Sequence, residues 1–286
     1  MDIPRWHTLR RRRRSVVVSR FDAAAGRWVG ASPAGDAARG ALTLTTFNVW
    51  NKPLHAEQRY QAIADLLARD MPDVAVFQEV TPTAQAVLLD QPWVRERCLH
   101  VGVTGARVGG YGILMLSRLP IAAATFTRLP SRRARGFLQA DVAVNGATLR
   151  ICSVHLESGK DGAWLRAWQL RRVFRAVTAQ DAVILGDFNM RDGEDRWLPA
   201  HYRDLWPALR PHEPGFTEDT STNPMLRDNK KKPRQQRFDR VLLTGRRWTP
   251  EGIEVIGTEP VSPALPRVLP SDHFGLRCRL GAQRQQ

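Results

Sequence analysis

Short apolar runs that each stop on a polar or ionisable residue set the strongest limit on how this chain can fold. Val74-Ala75-Val76-Phe77 runs into Gln78-Glu79, Cys152-Ser153-Val154 into His155-Leu156-Glu157-Ser158, and Ile184-Leu185 into Gly186-Asp187-Phe188-Asn189. Leu44-Thr45-Thr46-Phe47 stops at Asn48, and Ser271-Asp272-His273 leads into a last apolar run. Apolar runs this short, bounded by turn residues, read as strands. A carboxylate is expensive to bury unless it is paired or binds a cation. Several such strand ends are therefore expected to converge on one edge, where a hard cation offsets their repulsion.

Strands are expected at 42–47, 74–78, 113–117, 138–144, 148–156, 182–185, 238–243 and 276–280. Between the first two, Tyr60, Ile63, Leu66 and Leu67 recur at helical spacing, which predicts a helix over 57–68. Leu170, Val173, Phe174 and Val177 repeat that spacing before the strand at 182. Asn145-Gly146 suits a type I′ hairpin turn. Hairpins mixed with strand-helix-strand units argue for a layered α/β fold with mixed sheets. Residues 1–40 are basic and then Ala/Gly-rich, so they are expected as a flexible appendage ahead of a catalytic domain at 41–286. Residues 211–236, polar and rich in Pro, Asn and Lys, are expected as a surface loop with a functional role. Trp164 and Trp168, four residues apart on a helix, are expected to pack in the core or an interface. Gly109-Gly110 is too short to cradle a phosphate and reads as a turn.

Lys and Arg outnumber Asp and Glu by 43 to 28, a formal charge of +15, which favours an anionic partner. Nucleic acid is preferred over a membrane surface because no basic amphipathic helix stands out; an arginine-rich proteome colouring the surface is the plainer alternative. Cys98, Cys152 and Cys278 form no Cys-x-x-Cys pair and read as thiols in a reducing compartment. No signal-type apolar region follows the Arg10 to Arg14 run and no stretch reaches membrane-span length, so a cytoplasmic protein is expected.

Glu79 offers the oxygen ligand that Mg²⁺ prefers, and the lack of a dense His/Cys set argues against zinc. Attack on a phosphodiester needs an oriented water, a stabiliser for the extra charge on phosphorus and help for the leaving oxygen. Asp187 can align or deprotonate the water, and Asn48, Asn189 and His155 can donate to phosphate oxygens. His273 can do so as a cation if a carboxylate such as Asp239 holds its ring. Taken singly, Asn48 reads as a turn residue, Asp187 to Asn189 as an Asx turn, Asp272 as a helix cap and His155 as a structural histidine. Their combination, in this order at comparable strand ends, favours the site.

Thr46-Phe47-Asn48, Phe77-Gln78-Glu79, Gly186-Asp187-Phe188-Asn189 and Ser271-Asp272-His273 together resemble the endonuclease/exonuclease/phosphatase superfamily, over nearly everything from Leu42 to Leu280. Within it, His155-Leu156-Glu157-Ser158, Asn189-Met190-Arg191-Asp192, Arg237-Phe238-Asp239-Arg240 and Pro270 to Leu276 are similar to the tyrosyl-DNA phosphodiesterase 2 type. The resemblance implies a four-layer α/β/β/α sandwich with two mixed, largely antiparallel sheets and the site at one end of them. It implies Asp187 as catalytic acid/base, Glu79 as principal metal ligand, and Asn48, His155, Ser158, Asn189 and Arg191 around the 5′ phosphate. Asp239 would orient His273, and Tyr111 and Phe238 would line the DNA path. The expected metal set is Glu79, Asn48 and Asp272, holding Mg²⁺ with Mn²⁺ as a substitute. Phe216-Thr217-Glu218-Asp219-Thr220 departs from the family, which has an aromatic where Glu218 stands; Phe188 and Phe47 are milder departures.

The implied function is hydrolysis of 5′-phosphotyrosyl or related 5′-end phosphodiester bonds on nucleic acid, leaving a 5′ phosphate. DNA 5′ ends, protein-linked ones included, are the expected partner, with RNA left open and no membrane or obligate protein partner. The alternatives are an abasic-site or RNA nuclease of the same superfamily, or a phosphatase or phosphodiesterase for a small or lipid phosphoester. A non-enzymatic binder on a retired scaffold ranks below these, because no catalytic position is lost; the Arg10 to Arg14 and Arg227, Lys230, Lys231, Lys232, Arg234, Arg237 series would then serve phosphate contacts.

Overall fold

The computed structural model describes residues 13–32, 35–191, 193–230 and 232–283. Arg10, Arg11 and Arg12 of the basic run, with Asp192 and Lys231, lie outside the described residues.

Two mixed sheets pack face to face. One, eight-stranded, runs in the order Trp248–Ile256, Gly275–Ala282, Ala41–Asn48, Val74–Val80, Gly110–Ser117, Leu99–Gly105, Ser19–Asp22, Arg27–Gly30. The other, seven-stranded, runs Arg13–Ser15, Ile121–Arg128, Gly136–Val144, Ala147–His155, Ala182–Asp187, Asp239–Thr244, Arg203–Asp204. Each sheet has one parallel pair, Ala41–Asn48 with Val74–Val80 and Ala147–His155 with Ala182–Asp187.

Strand alternation explains the layers. Val74 and Val76 point between the sheets with Met115, Leu138, Ile151, Val183 and Leu185. Their neighbours Ala75 and Phe77 point outward onto Tyr60, Ile63 and Leu67 of the helix Ala56–Arg69 and Leu88 of the helix Pro82–Asp90. On the other sheet Cys152, Val154 and Ile184 point outward onto Leu170 and Val173 of the helix Ala163–Ala176. Strands covered on both faces must be apolar throughout, which is why they read as continuous runs. The result is the expected four-layer α/β/β/α sandwich. Fully burying a side chain such as Leu67 or Phe77 contributes roughly 1.5–3 kcal/mol.

Each expected strand is present, with ends shifted by up to three residues. Three longer ones are additional. Leu99–Gly105 is interrupted by Gly102, Ile121–Arg128 is alanine-rich, and Trp248–Ile256 carries Pro250 and Gly252 at a bulge on a sheet edge, where proline is tolerated. Asn145 and Gly146 turn between Val144 and Ala147 with φ of 53° and 69°.

Residues 13–30, set apart by composition, run along both sheets. Arg13–Ser15 pairs with Ile121–Arg128, and Ser19–Asp22 pairs with Leu99–Gly105 and with Arg27–Gly30. Backbone pairing at an edge needs no apolar alternation, so composition gave no sign of it. Trp164 and Trp168 are 58% and 37% exposed, contrary to the expected packing. The buried face of their helix is formed instead by Leu165, Arg166, Gln169, Leu170 and Val173. Among the described residues no helix is long and apolar enough to cross a membrane.

Candidate active site

The parallel pairs bring the ends of four strands to one end of the sandwich. Asn48 lies opposite Gln78, and Asp187 lies opposite both His155 and Asp239. Asn48 Nδ2 then donates to Asp187 Oδ2 at 3.0 Å, joining the two sheets. Just below, Gln78 Nε2 donates to Ser153 Oγ at 3.1 Å and ties them again. Gly186 lets the Asp187 strand approach its neighbour: at φ 138° a Cβ there would stand 2.2 Å from Val154 O.

Glu79 sits at a break in strand register between Gln78 and Val80, with φ 60°. A bulge re-aims a side chain, and here a buried-strand residue is turned into the site. Its Oε2 accepts from Asn51 N at 3.1 Å, and Oε1 is 3.9 Å from His155 Nε2. Arg59, fully buried, donates to Val49, Trp50, Lys52 and Leu54 carbonyls and to Pro270 O, clamping the loop after Asn48 to the segment before His273.

The two histidines are held in opposite charge states. Arg135 Nη1 lies 2.9 Å from His155 Nδ1. Guanidinium can only donate, so Nδ1 is the acceptor and the ring proton sits on Nε2. Burial, then Arg135 and His273, keep His155 well below its ordinary pKa, and its buried Nε2 has no hydrogen-bond partner among the described residues. His273 Nδ1 is 2.8 Å from Asp239 Oδ2. Burial pulls its pKa down, but Asp239, Asp187 and Asp272 more than offset that and raise it well above its ordinary value. Asp187 is pushed up to about 7 by burial, against the opposing pull of His273.

The remaining expected residues gather around this centre. Asn189, at φ 51°, gives its backbone N–H to Asp187 Oδ1 at 2.9 Å and its amide to Leu156 O. Ser271 Oγ donates to Asn48 O at 2.6 Å and accepts from His273 N, so the Asp272 segment is tied to the Asn48 strand. Burial raises Asp272 to about 6, His273 opposing and Glu79 adding. Tyr111 lies 6.3 Å from the His155 ring and its hydroxyl accepts from Arg135. Half-buried Ser158 follows the His155 strand on its loop. Phe238 departs from expectation: it is 2% exposed, covered by the Arg191 guanidinium at 5.3 Å and tilted against His273. It supports Arg191 rather than presenting a free face.

Arg135 and Arg59 were not singled out by the sequence. Both are arginines among many, and nothing local marks which arginine is buried.

The donor set suits a hard divalent cation. Glu79, Asp187, Asp239 and Asp272 act on one another across one site, no cysteine joins the donor clusters among the described residues, and Asp239 Oδ1 is buried without a partner there. Donor atoms of Asp187, Asp239 and His273, and of Glu218, Asp272 and His273, lie within 4.8 Å of one another.

The model of the Endonuclease/Exonuclease/phosphatase family matches residues 45–273, which span every residue of this centre. The chain belongs to that family. It is 30% identical over 256 residues to tyrosyl-DNA phosphodiesterase 2 of Gallus gallus, spanning 84% of this chain and 66% of that protein. To the Homo sapiens protein it is 28% identical over 255 residues, spanning 84% and 68%. The chain thus spans about two thirds of the length of these relatives. A solved D. rerio tyrosyl-DNA phosphodiesterase 2 complexed with single strand DNA product superposes with a TM-score of 0.76 at 26% identity, covering 85% of this chain and 100% of that one. A truncated Caenorhabditis elegans counterpart, at 21% identity and TM-score 0.72, covers 85% and 98% and shares the fold.

Proposed function

We propose that this chain is a Mg²⁺-dependent phosphodiesterase that hydrolyses 5′-phosphotyrosyl or related 5′-end phosphodiester bonds on nucleic acid, leaving a 5′ phosphate, with the strands of residues 13–30 built into the same sandwich as residues 41–283. The observation that carries this reading is the buried meeting of Asn48 and Asp187 from opposite sheets, beside a neutral His155 and a charged, Asp239-held His273. The tyrosyl-DNA phosphodiesterase 2 relatives support the choice of bond, and the formal charge of +15 supports a polyanionic substrate. Three buried free thiols suit a cytoplasmic setting.

Asp187, with a proton affinity matched to neutral pH, orients the attacking water and takes its proton. His155 donates Nε2–H to a phosphate oxygen, and Asn189 holds the Asp187 carboxylate in place through its backbone N–H. His273 offers a positive charge where negative charge develops on phosphorus, and Asp239 fixes its ring for that role. Asn48 holds Asp187 against the opposite sheet, Ser158 and Arg191 contact the 5′ phosphate, and Tyr111 lines the approach. Glu79 would hold the metal, with Asn48 and Asp272 beside it. When bound, Mg²⁺ supplies charge neutralisation and polarises a phosphoryl oxygen.

The test is cleavage of a labelled 5′-phosphotyrosyl oligonucleotide beside an abasic duplex and a plain single strand. Release of tyrosine with a 5′ phosphate left on the strand is expected. Cleavage confined to the other two substrates would keep the hydrolase and overturn the assigned bond.

A further inference from the structure

A pocket of about 470 Å³ opens between the two-stranded ladder of Glu218–Asp219 with Gln235–Gln236 and the helix Pro224–Asn229. Arg227, Lys230, Lys232 and Arg234 line it, with Thr220 and Ser221. At its root lies Glu218, 2% exposed, 3.2 Å from Lys230 Nζ and 2.8 Å from Arg234 Nη1. The nearby Asp219 is turned into Ser221 and Gln235, which donate to it. Four cations against the one carboxylate at the root leave the pocket electropositive.

Glu218 does not use up its partners. An ammonium has three donors and a guanidinium five, and the Lys230 and Arg234 side chains keep 29% and 33% exposure. A fixed anion beneath two long side chains removes much of the freedom they would otherwise lose on binding. No aromatic lines the pocket, so a base has nothing to stack on there, whereas a phosphate finds charge and hydroxyls. Glu218 also faces Asp272 and His273, so the pocket adjoins the catalytic cluster.

We propose that this pocket is a second phosphate site, taking a backbone phosphate of the substrate strand internal to the 5′ end, with Glu218 as the positioning residue for Lys230 and Arg234. It rests on the proposed nucleic-acid substrate and names how this chain holds that strand beyond the reacting phosphate.

Binding of 5′-phosphorylated single strands, one and four nucleotides long, is measured by equilibrium titration across a salt series, with no turnover required. In K230Q/R234Q the four-nucleotide strand loses roughly 0.7 from the slope of log Kd against log salt, the decrement for one phosphate contact on a single strand. Its affinity falls about tenfold at low salt, while the mononucleotide shifts less than about twofold. Those changes strip Glu218 of its two ion-pair partners, so E218Q/K230Q/R234Q is measured as well and shows the same decrement. An unchanged slope in the triple variant, or equal weakening of both ligands, overturns the site. E218Q alone keeps both cations, so the slope stays while the four-nucleotide Kd rises; a lower Kd would overturn the positioning role. If phosphotyrosyl cleavage fails while the slope difference persists, the pocket stands and the assigned bond falls; intact cleavage without a slope difference means the reverse.

Discussion

The Asn48 amide on the eight-stranded sheet donates to Asp187 on the seven-stranded sheet at 3.0 Å, so the site closes only when the sandwich does. The geometry of the candidate site and the packing of the sheets are therefore one structure. A change that slides one sheet on the other is expected to damage turnover before it unfolds the protein.

Gly186 tests that coupling. An alanine Cβ would stand 2.2 Å from Val154 O, at a φ of 138° that L side chains rarely adopt. G186A is expected to cost on the order of 3 kcal/mol, as strained and overpacked core positions do. Urea unfolding measures it; a change under about 0.5 kcal/mol would show that the strand is free to move.

The chemistry-bearing strand ends were legible because packing alone would not put a polar residue at the end of a strand buried on both faces. Asn48, Glu79, His155, Asp187 and His273 stand out that way, and the sandwich brings them to one end, with Asp239 opposite Asp187. What could not be read was which long side chain folds back. Arg135 against His155, Arg59 reaching Pro270 O and the Glu218 pair with Arg234 span gaps of 16 to 211 residues, and local pattern carries no trace of such contacts. Trp164 and Trp168 were misplaced for a related reason: helical spacing finds a face but does not say which face is covered, and here Arg166 and Gln169 are on the covered one. Residues 13–30 join their sheets through edge pairing of the backbone, with scattered side-chain contacts such as Trp28 on His100 and no apolar alternation for composition to reveal.

Arg135 fixes the proton of His155 on Nε2 by donating to Nδ1 at 2.9 Å. In R135M that donor is gone, and nitrogen-detected NMR of the ring is expected to show a mixture of tautomers in place of the Nε2–H form. With one donor to the phosphate weakened, kcat is expected to fall about tenfold or more. A single Nε2–H tautomer in the variant would assign the control elsewhere.

His100 carries an acid-sensitive contribution to stability. It packs against Trp28 with ring centroids 4.5 Å apart, its buried Nδ1 has no partner among the described residues, and burial lowers its pKa to about 4. Between the unfolded value near 6.5 and the folded value, the unfolded chain binds more protons, so stability rises with pH. This contribution is full above about pH 6.5 and is lost as pH falls towards 4, by at most about 3 kcal/mol. Unfolding midpoints at pH 7 and 4.5 should separate more in the wild type than in H100Q. Equal pH dependence in the two would show that His100 contributes nothing to it.

Turnover of the 5′-phosphotyrosyl oligonucleotide by wild type and D187N, each in Mg²⁺ and in chelator, is the most direct measurement. Wild type is expected to release tyrosine in Mg²⁺ and to stop in chelator. D187N, folded and binding the strand within a few-fold of wild type, is expected to lose about 10²-fold to 10⁴-fold in kcat, the span of a lost general base. D187N turning over at the wild-type rate, or wild type indifferent to chelator, would contradict a metal-assisted hydrolysis run through Asp187.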